Sequence, residues 1–319
     1  MIYSNIASQI LFAPLTTGVD SLYILSAYAT PTMLSWYMKN LYRKTLFPIR
    51  IHLTIGMVPF DGVSDSVHKG FLQLLHEPKP AEVSRLDCSY IFDNPAIHSN
   101  LYIWTKDSIP VKAYTGSANF VQNSFVGTHR QEIMVECDPM EAMQYYEQQI
   151  DRSVFANHAE VEEYVRVYQK HPILDRENDF LADLKGGSYD TVTLSLLTNK
   201  GEIGIRSGLN WGNRPHRNPN EAYIPLPREI ARSGFFPLEK RHFSVLTDDR
   251  HHLILRVEQQ NDKAITTPAR NSDLGEYFRN RLGLPNGAFI KKESLQQYGR
   301  TDVTFFKMDE ETYCMDFSV

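Results

Sequence analysis

The stretch from Ile97 to Asn123 constrains this chain most. It runs Ile-His-Ser-Asn-Leu-Tyr-Ile-Trp, then a polar turn, then Val-Lys-Ala-Tyr-Thr-Gly-Ser-Ala-Asn-Phe-Val-Gln-Asn. Residues 101–104 and 111–114 are short β-prone runs, and 105–110 is the connection, so a β-hairpin is predicted. His98 then lies at the start of one strand, with Gly116, Ser117 and Asn119 just past the end of its partner. Antiparallel pairing brings those two ends together. A histidine, a hydroxyl, a carboxamide and a glycine-loosened backbone in one small volume suit a phosphate ester. Histidine can attack phosphorus or shuttle a proton, while the polar groups and backbone N–H groups hold the non-bridging oxygens. An ordinary hairpin with a glycine turn contains the same residue types.

Strand-like runs at 21–27, 49–57, 86–92 and 132–136 surround the hairpin. They alternate with helical patterns at 32–41, 67–75, 140–150 and 160–168, which predicts an α/β layered sheet. At 319 residues there is room for two domains. His171-Pro172 halts the helical pattern, and Lys185-Gly-Gly-Ser188 is the most linker-like tetrapeptide. The predicted division is therefore 1–178, a linker at 179–188, and 189–319. No apolar run approaches a membrane span, and the residues after Met1 lack a signal-peptide pattern. Cys88, Cys137 and Cys314 are widely spaced and read as reduced thiols. A cytoplasmic location is the expectation.

Beyond Tyr189 the texture turns β-rich. Strands are predicted at 192–197, 203–207, 222–226, 243–246, 253–257, 289–290 and 303–307, with short helices at 228–233 and 274–282. Many short strands with Gly/Pro turns suggest a mainly-β pseudobarrel. Charge is also uneven. Residues 1–185 carry 15 Lys+Arg against 21 Asp+Glu, while residues 205–292 carry 15 against 9. The positive electrostatic footprint belongs to one segment of the C-terminal half. Two polar loops stand there: Asn210-Trp-Gly-Asn-Arg-Pro-His-Arg-Asn-Pro-Asn220 and Thr266-Thr-Pro-Ala-Arg-Asn-Ser272. Arg and Asn read guanine and adenine edges bidentately. Loops of this composition are also found merely solvated.

The hairpin resembles the motif of the phospholipase D superfamily, His-x-Lys followed by Gly-Ser-x-Asn on the next strand. The matching residues are His98, Gly116, Ser117 and Asn119, with Asn100 at the lysine position. Gln131-Glu132-Ile-Met-Val-Glu136 is similar to the strand that carries a supporting acidic residue. The two polar loops resemble the recognition arms of B3-like DNA-binding pseudobarrels. By that resemblance Arg214, His216, Arg217, Asn218 and Asn220 belong to one arm, and Thr267, Arg270, Asn271 and Ser272 to the other. The order of the two modules is similar to that of the NgoFVII-type restriction endonucleases. The implied fold is a phospholipase-D-like mixed α/β sheet followed by a B3-like domain.

The resemblance implies a restriction endonuclease subunit that recognises a short sequence in double-stranded DNA and hydrolyses phosphodiester bonds. His98 attacks phosphorus to give a phosphohistidine, and a second histidine protonates the leaving oxygen. Ser117 and Asn119 hold the non-bridging oxygens, and Glu132 orients or charge-tunes a histidine, with Glu136 the weaker choice. No metal is needed, and no metal-ligand spacing stands out; Asp61, Asp65, Asp87 and Asp93 are scattered. A homodimer is implied, because the chemistry needs two histidines and the chain has one Gly-Ser-x-Asn with an upstream His. Some relatives depend on an ATPase partner subunit. Asn100 carries no charge and has a shorter reach than lysine. It predicts a site weakened on the order of 10²–10³-fold, by analogy with loss of one oxyanion donor. Lys106 and Lys112 are the candidates to compensate: Lys106 sits in the hairpin connection, away from His98, whereas Lys112 shares strand parity with Tyr114 and Gly116. Two other classes stay open: a sequence-specific DNA-binding protein with an inactive nuclease fold, or a phosphodiesterase or phospholipase acting on another ligand.

Overall fold

The computed structural model describes residues 1–127, 130–168, 187 and 189–319. The chain divides into two compact units, Met1–Lys170 and His171–Val319. The predicted His171-Pro172 boundary and all of the predicted linker except Gly187 lie outside the described residues.

In the first unit the strands are β1 (Ser21–Ser26), β2 (Ile49–Ile55), β3 (Val63–Ser64), β4 (Val83–Ile91), β5 (Asn100–Lys106), β6 (Ile109–Gly116), β7 (Met134–Cys137), β8 (Ser153–Phe155) and β9 (Val167–Tyr168). Seven of them form one mixed sheet in the order β7-β6-β5-β1-β2-β4-β8. β1, β2 and β4 run parallel, joined through helices Pro31–Asn40 and Asp65–His76, as parallel pairing requires. Thr30 caps the first of these by accepting from the Met33 N–H, and Pro31 supplies a preset first helical residue. β5 lies antiparallel beside β1, so the end of β1, the start of β5 and the end of β6 share one edge of the sheet.

The hairpin is tighter than the sequence suggested. Asp107 and Ser108 alone make its turn, with φ of 51° and 66°, the left-handed geometry that matches the twist of two-residue hairpins. One face of the sheet packs Leu25, Leu101, Ile103 and Ala113 against Ala142 and Tyr146 of helix Pro139–Ile150. Trp104 is fully buried, and its indole N–H donates to the Ile10 carbonyl at 2.8 Å. The helix predicted at 160–168 is confined to Val161–Tyr164. The valine-rich residues after it pair instead as β9 beside β3.

The second unit carries β10 (Thr191–Ser195), β11 (Ile224–Pro225), β12 (His242–Thr247), β13 (His252–Glu258), β14 (Ala264–Thr266), β15 (Asp302–Lys307) and β16 (Thr312–Asp316). They form one sheet in the order β10-β15-β16-β12-β13-β14-β11, antiparallel except for β12 beside β16. The edge strands β10 and β11 approach each other, so the sheet nearly closes on itself as a pseudobarrel. Phe236, Phe243, Phe305 and Tyr313 fill its interior. Residues 203–207 form no strand. Their carbonyls are taken by side chains of the following loop: Asn210 donates to Gly204 (3.1 Å), Asn213 to Ile205 (3.2 Å) and Arg214 to Arg206 (2.9 Å).

Candidate functional site

Strand register builds the first site. Leu25 pairs with Leu101, Asn100 with Gly116, and Gly116 with Met134, which lines up the ends of four strands. Gly116 is required by close approach: a Cβ there would stand 2.1 Å from the Ile133 carbonyl. That contact lets Ser117 exchange backbone and side-chain bonds with Ile133, N–H to carbonyl at 2.9 Å and Ile133 N–H to Oγ at 3.0 Å. The Ser117 hydroxyl also donates to Glu132 in a short hydrogen bond, and Ser124 donates to the other Glu132 oxygen at 2.8 Å. Glu132 is thus fixed by two hydroxyls, one on each oxygen.

His98 sits exposed, two residues before β5. Its ring meets Tyr28 edge to face, with centroids 6.3 Å apart and planes at 88°. Asn119 accepts at Oδ1 from the Tyr28 N–H at 3.2 Å. His98 and Asn119 therefore meet at Tyr28 in the loop that leaves β1, while Ser117 and Glu132 bond each other past the end of β6. Sequence reasoning missed the members of that loop. Ser26 Oγ bonds the Tyr28 carbonyl and the Asn100 Oδ1, each at 2.8 Å, and accepts from the Phe120 N–H at 2.9 Å. The only signal was a polar Ser26 closing an apolar strand run.

Asn100 does not face this volume. It is 3% exposed, and Oδ1 accepts from Ser26 Oγ and from the Ala27 N–H at 3.1 Å. Its Nδ2 donates to the carbonyls of Gly116 and Ser117, both at 3.2 Å. Lys112 is remote from that end of the sheet. It pairs across from Trp104, four residues or about 13 Å along β6 from Gly116. Its ammonium reaches Glu136 at 3.1 Å, a hydrogen bond that holds the Lys112 pKa above the ordinary lysine value. Among the described residues no cluster of three or more His, Cys, Asp and Glu is arranged to hold a metal ion.

In the second unit the polar loops separate into a tip and a base. Asn213, Arg214, His216, Arg217 and Asn218 are exposed. Arg217 lies over the Trp211 ring at 4.0 Å and pairs with Glu221. Asn220 is buried: Oδ1 accepts from the Gly287 N–H at 2.6 Å, and Nδ2 donates to Glu276 at 3.3 Å. In the second loop Arg270 is exposed and paired with Asp273 at 2.9 Å, and Asn271 is half-buried. Thr267 and Ser272 are buried, and Thr267 Oγ1 donates to the Arg270 carbonyl at 2.5 Å. The two loops are stitched together where the Ala222 N–H donates to the Asn271 carbonyl at 3.1 Å. Five exposed polar side chains of one loop, with exposed Arg270 and half-buried Asn271 of the other, thus form the accessible surface.

Comparison with known proteins gives two family matches. The NgoFVII restriction endonuclease N-terminal PLD domain matches residues 4–163, and the NgoFVII C-terminal B3-like DNA-binding domain matches residues 185–309. Among solved structures, NucT from Helicobacter pylori is similar at 14% identity, covering 48% of this chain and 96% of its own, with a TM-score of 0.32. Nuc from Salmonella typhimurium, a phospholipase D family member, is similar at 15% identity over 53% of this chain and 95% of its own, with a TM-score of 0.33. No curated protein matches.

Proposed function

Because this chain belongs to the NgoFVII restriction endonuclease family, a PLD nuclease domain followed by a B3-like DNA-binding domain, we propose that it reads a short duplex sequence and cuts DNA by a metal-independent phosphohistidine route. The family assignment makes it a phosphodiester hydrolase acting on DNA. What supports the finer reading is the pairing of Asn100 with Gly116, which sets His98, two residues before β5, and Ser117, one residue after β6, at the same end of the sheet.

In this reading the imidazole nitrogen of His98 attacks phosphorus and forms a P–N bond. The bond from phosphorus to the leaving oxygen breaks, and a histidine from a second copy of the chain gives that oxygen its proton. Water then attacks the phosphohistidine, releases the phosphate end and returns its proton to the second histidine. Asn119 donates to a non-bridging oxygen, and Glu132 holds the Ser117 hydroxyl in place. With the Asn100 amide committed to the fold, the protonated histidine and backbone N–H groups offset the charge of the phosphorane. The exposed loop side chains Arg214, His216, Arg217, Asn218 and Arg270 read the target.

The test is full-length chain with plasmid DNA in EDTA, with and without extract from the host cell to supply an ATPase partner. Cleavage in EDTA that is abolished in His98→Ala is the expected result. Tight sequence-specific binding without cleavage in either condition would instead identify an inactive nuclease fold.

A further inference from the structure

Tyr28 touches both His98 and Asn119. The ring is 41% exposed, outside the core. Yet, besides the Ser26 hydroxyl on its carbonyl, the residue is held at three points. Its N–H donates to Asn119 Oδ1 at 3.2 Å, its ring stands against His98, and its phenol donates to Asp61 at 2.6 Å. Asp61 is itself fixed: its N–H donates to the Met57 carbonyl at 2.9 Å, and Arg166 donates to its carbonyl at 2.8 Å. The hydrogen bond to Asp61, with burial adding to it, pushes the phenol up to about 12, so it stays a donor across the neutral range. Immobilising a partly exposed aromatic side chain costs conformational entropy.

We propose that Tyr28, clamped by Asp61, is a positioning residue for the nuclease reaction, its ring confining the His98 imidazole and its N–H orienting the Asn119 carboxamide. The proposal rests on the assignment of His98 and Asn119 above. With Oδ1 taken up by the Tyr28 N–H, the donor end of Asn119 is the end offered to a phosphate oxygen. The edge-on ring limits the swing of an otherwise exposed histidine. In-line attack tolerates little misplacement; about 1 Å can cost on the order of 10²-fold.

The experiment uses full-length chain and bis(p-nitrophenyl) phosphate, a phosphodiester whose hydrolysis needs no sequence recognition. Tyr28→Phe and Asp61→Ala each remove the same clamp. Each should lower kcat about tenfold with KM unchanged, and the double variant should be no slower than either alone. Tyr28→Leu, lacking the ring, should lose about a hundredfold. The proton NMR signal of the His98 ring, assigned by its loss in His98→Gln, should move in Tyr28→Leu as the ring current disappears. A folded Tyr28→Leu with undiminished kcat overturns the proposal. So do losses that multiply in the double variant, since two independent defects are not one clamp. If His98→Ala retains wild-type kcat, the assignment of the site fails instead. An NMR shift still seen in Tyr28→Leu would then mark a contact without a role in catalysis, and the positioning proposal would fall with it.

Discussion

Asn100 shows how a single side chain changes meaning between a motif and a fold. Where the phospholipase D motif has lysine, a carboxamide here makes four hydrogen bonds, two accepted and two donated, across β1, β5 and the end of β6. Both ends of the amide are satisfied at 3% exposure, which is the condition for burying such a group without penalty. Lysine has no acceptor to offer Ser26 and the Ala27 N–H, and would bring a charge into a site built for a neutral group. Asn100→Lys is therefore expected to destabilise the fold by about 3 kcal/mol and to slow cleavage rather than restore it. Urea unfolding alongside plasmid cleavage measures both. A faster enzyme would mean that the ammonium reaches the phosphate and that the inward amide is not the working arrangement. The sequence marked this position, but a lone Asn in a motif position reads the same whether it faces substrate or backbone.

At the scale of elements, the hairpin was legible because its strands are short β-branched and aromatic runs with a polar break. Only the length of the turn was misjudged, since Asp107 and Ser108 both take positive φ and let pairing continue to Lys106 and Ile109. Helix starts marked by Thr30-Pro31 and Asp138-Pro139 were equally readable. What could not be read were elements whose residues lack alternation. β16 is buried at four of its five positions, and β14 is only three residues long. The order of strands in either sheet was also hidden, because each apolar run is compatible with several neighbours. The two polar loops show the same limit: their composition was visible, but not the element that shapes them. Arg279, on helix Ser272–Arg281, is 1% exposed. It donates to the carbonyls of Ala288 (2.8 Å), Gly275 (3.1 Å), Pro219 (3.0 Å) and Leu209 (3.5 Å). Leu209 and Pro219 bracket the first loop, so one guanidinium holds both of its ends; burial away from water lowers the Arg279 pKa. Arg279→Met should cost the second unit about 3 kcal/mol by orphaning those carbonyls. It should also weaken DNA binding on all sequences alike. An unchanged unfolding midpoint with lost affinity would show that Arg279 acts on DNA and not on the loop.

On the scale of the whole molecule, charge and chemistry divide between the two units. Residues 1–185 have the acidic excess and residues 205–292 the basic one, so DNA is held by a module other than the one that cuts it. In the proposed route the cutting module supplies one of the two histidines. One chain offers a single His98 beside a single Gly-Ser-x-Asn; His216, the other histidine in a polar context of Arg and Asn, lies on the exposed loop of the DNA-binding unit. Attack and leaving-group protonation need two imidazoles, and a two-fold axis supplies the second at no cost in new sequence. The chain should therefore sediment as a dimer at micromolar concentration. Mixing separates a shared site from two independent ones. If each site takes a histidine from both copies, a dimer of one wild-type and one His98→Ala chain has only one of the two imidazoles. With equal amounts freely exchanged, random pairing leaves about half of the wild-type chains in such hybrids, and cleavage per wild-type chain falls to about half. If every chain acts alone, cleavage per wild-type chain is unchanged by any excess of His98→Ala, and a strict monomer that retains activity would end the dimeric reading.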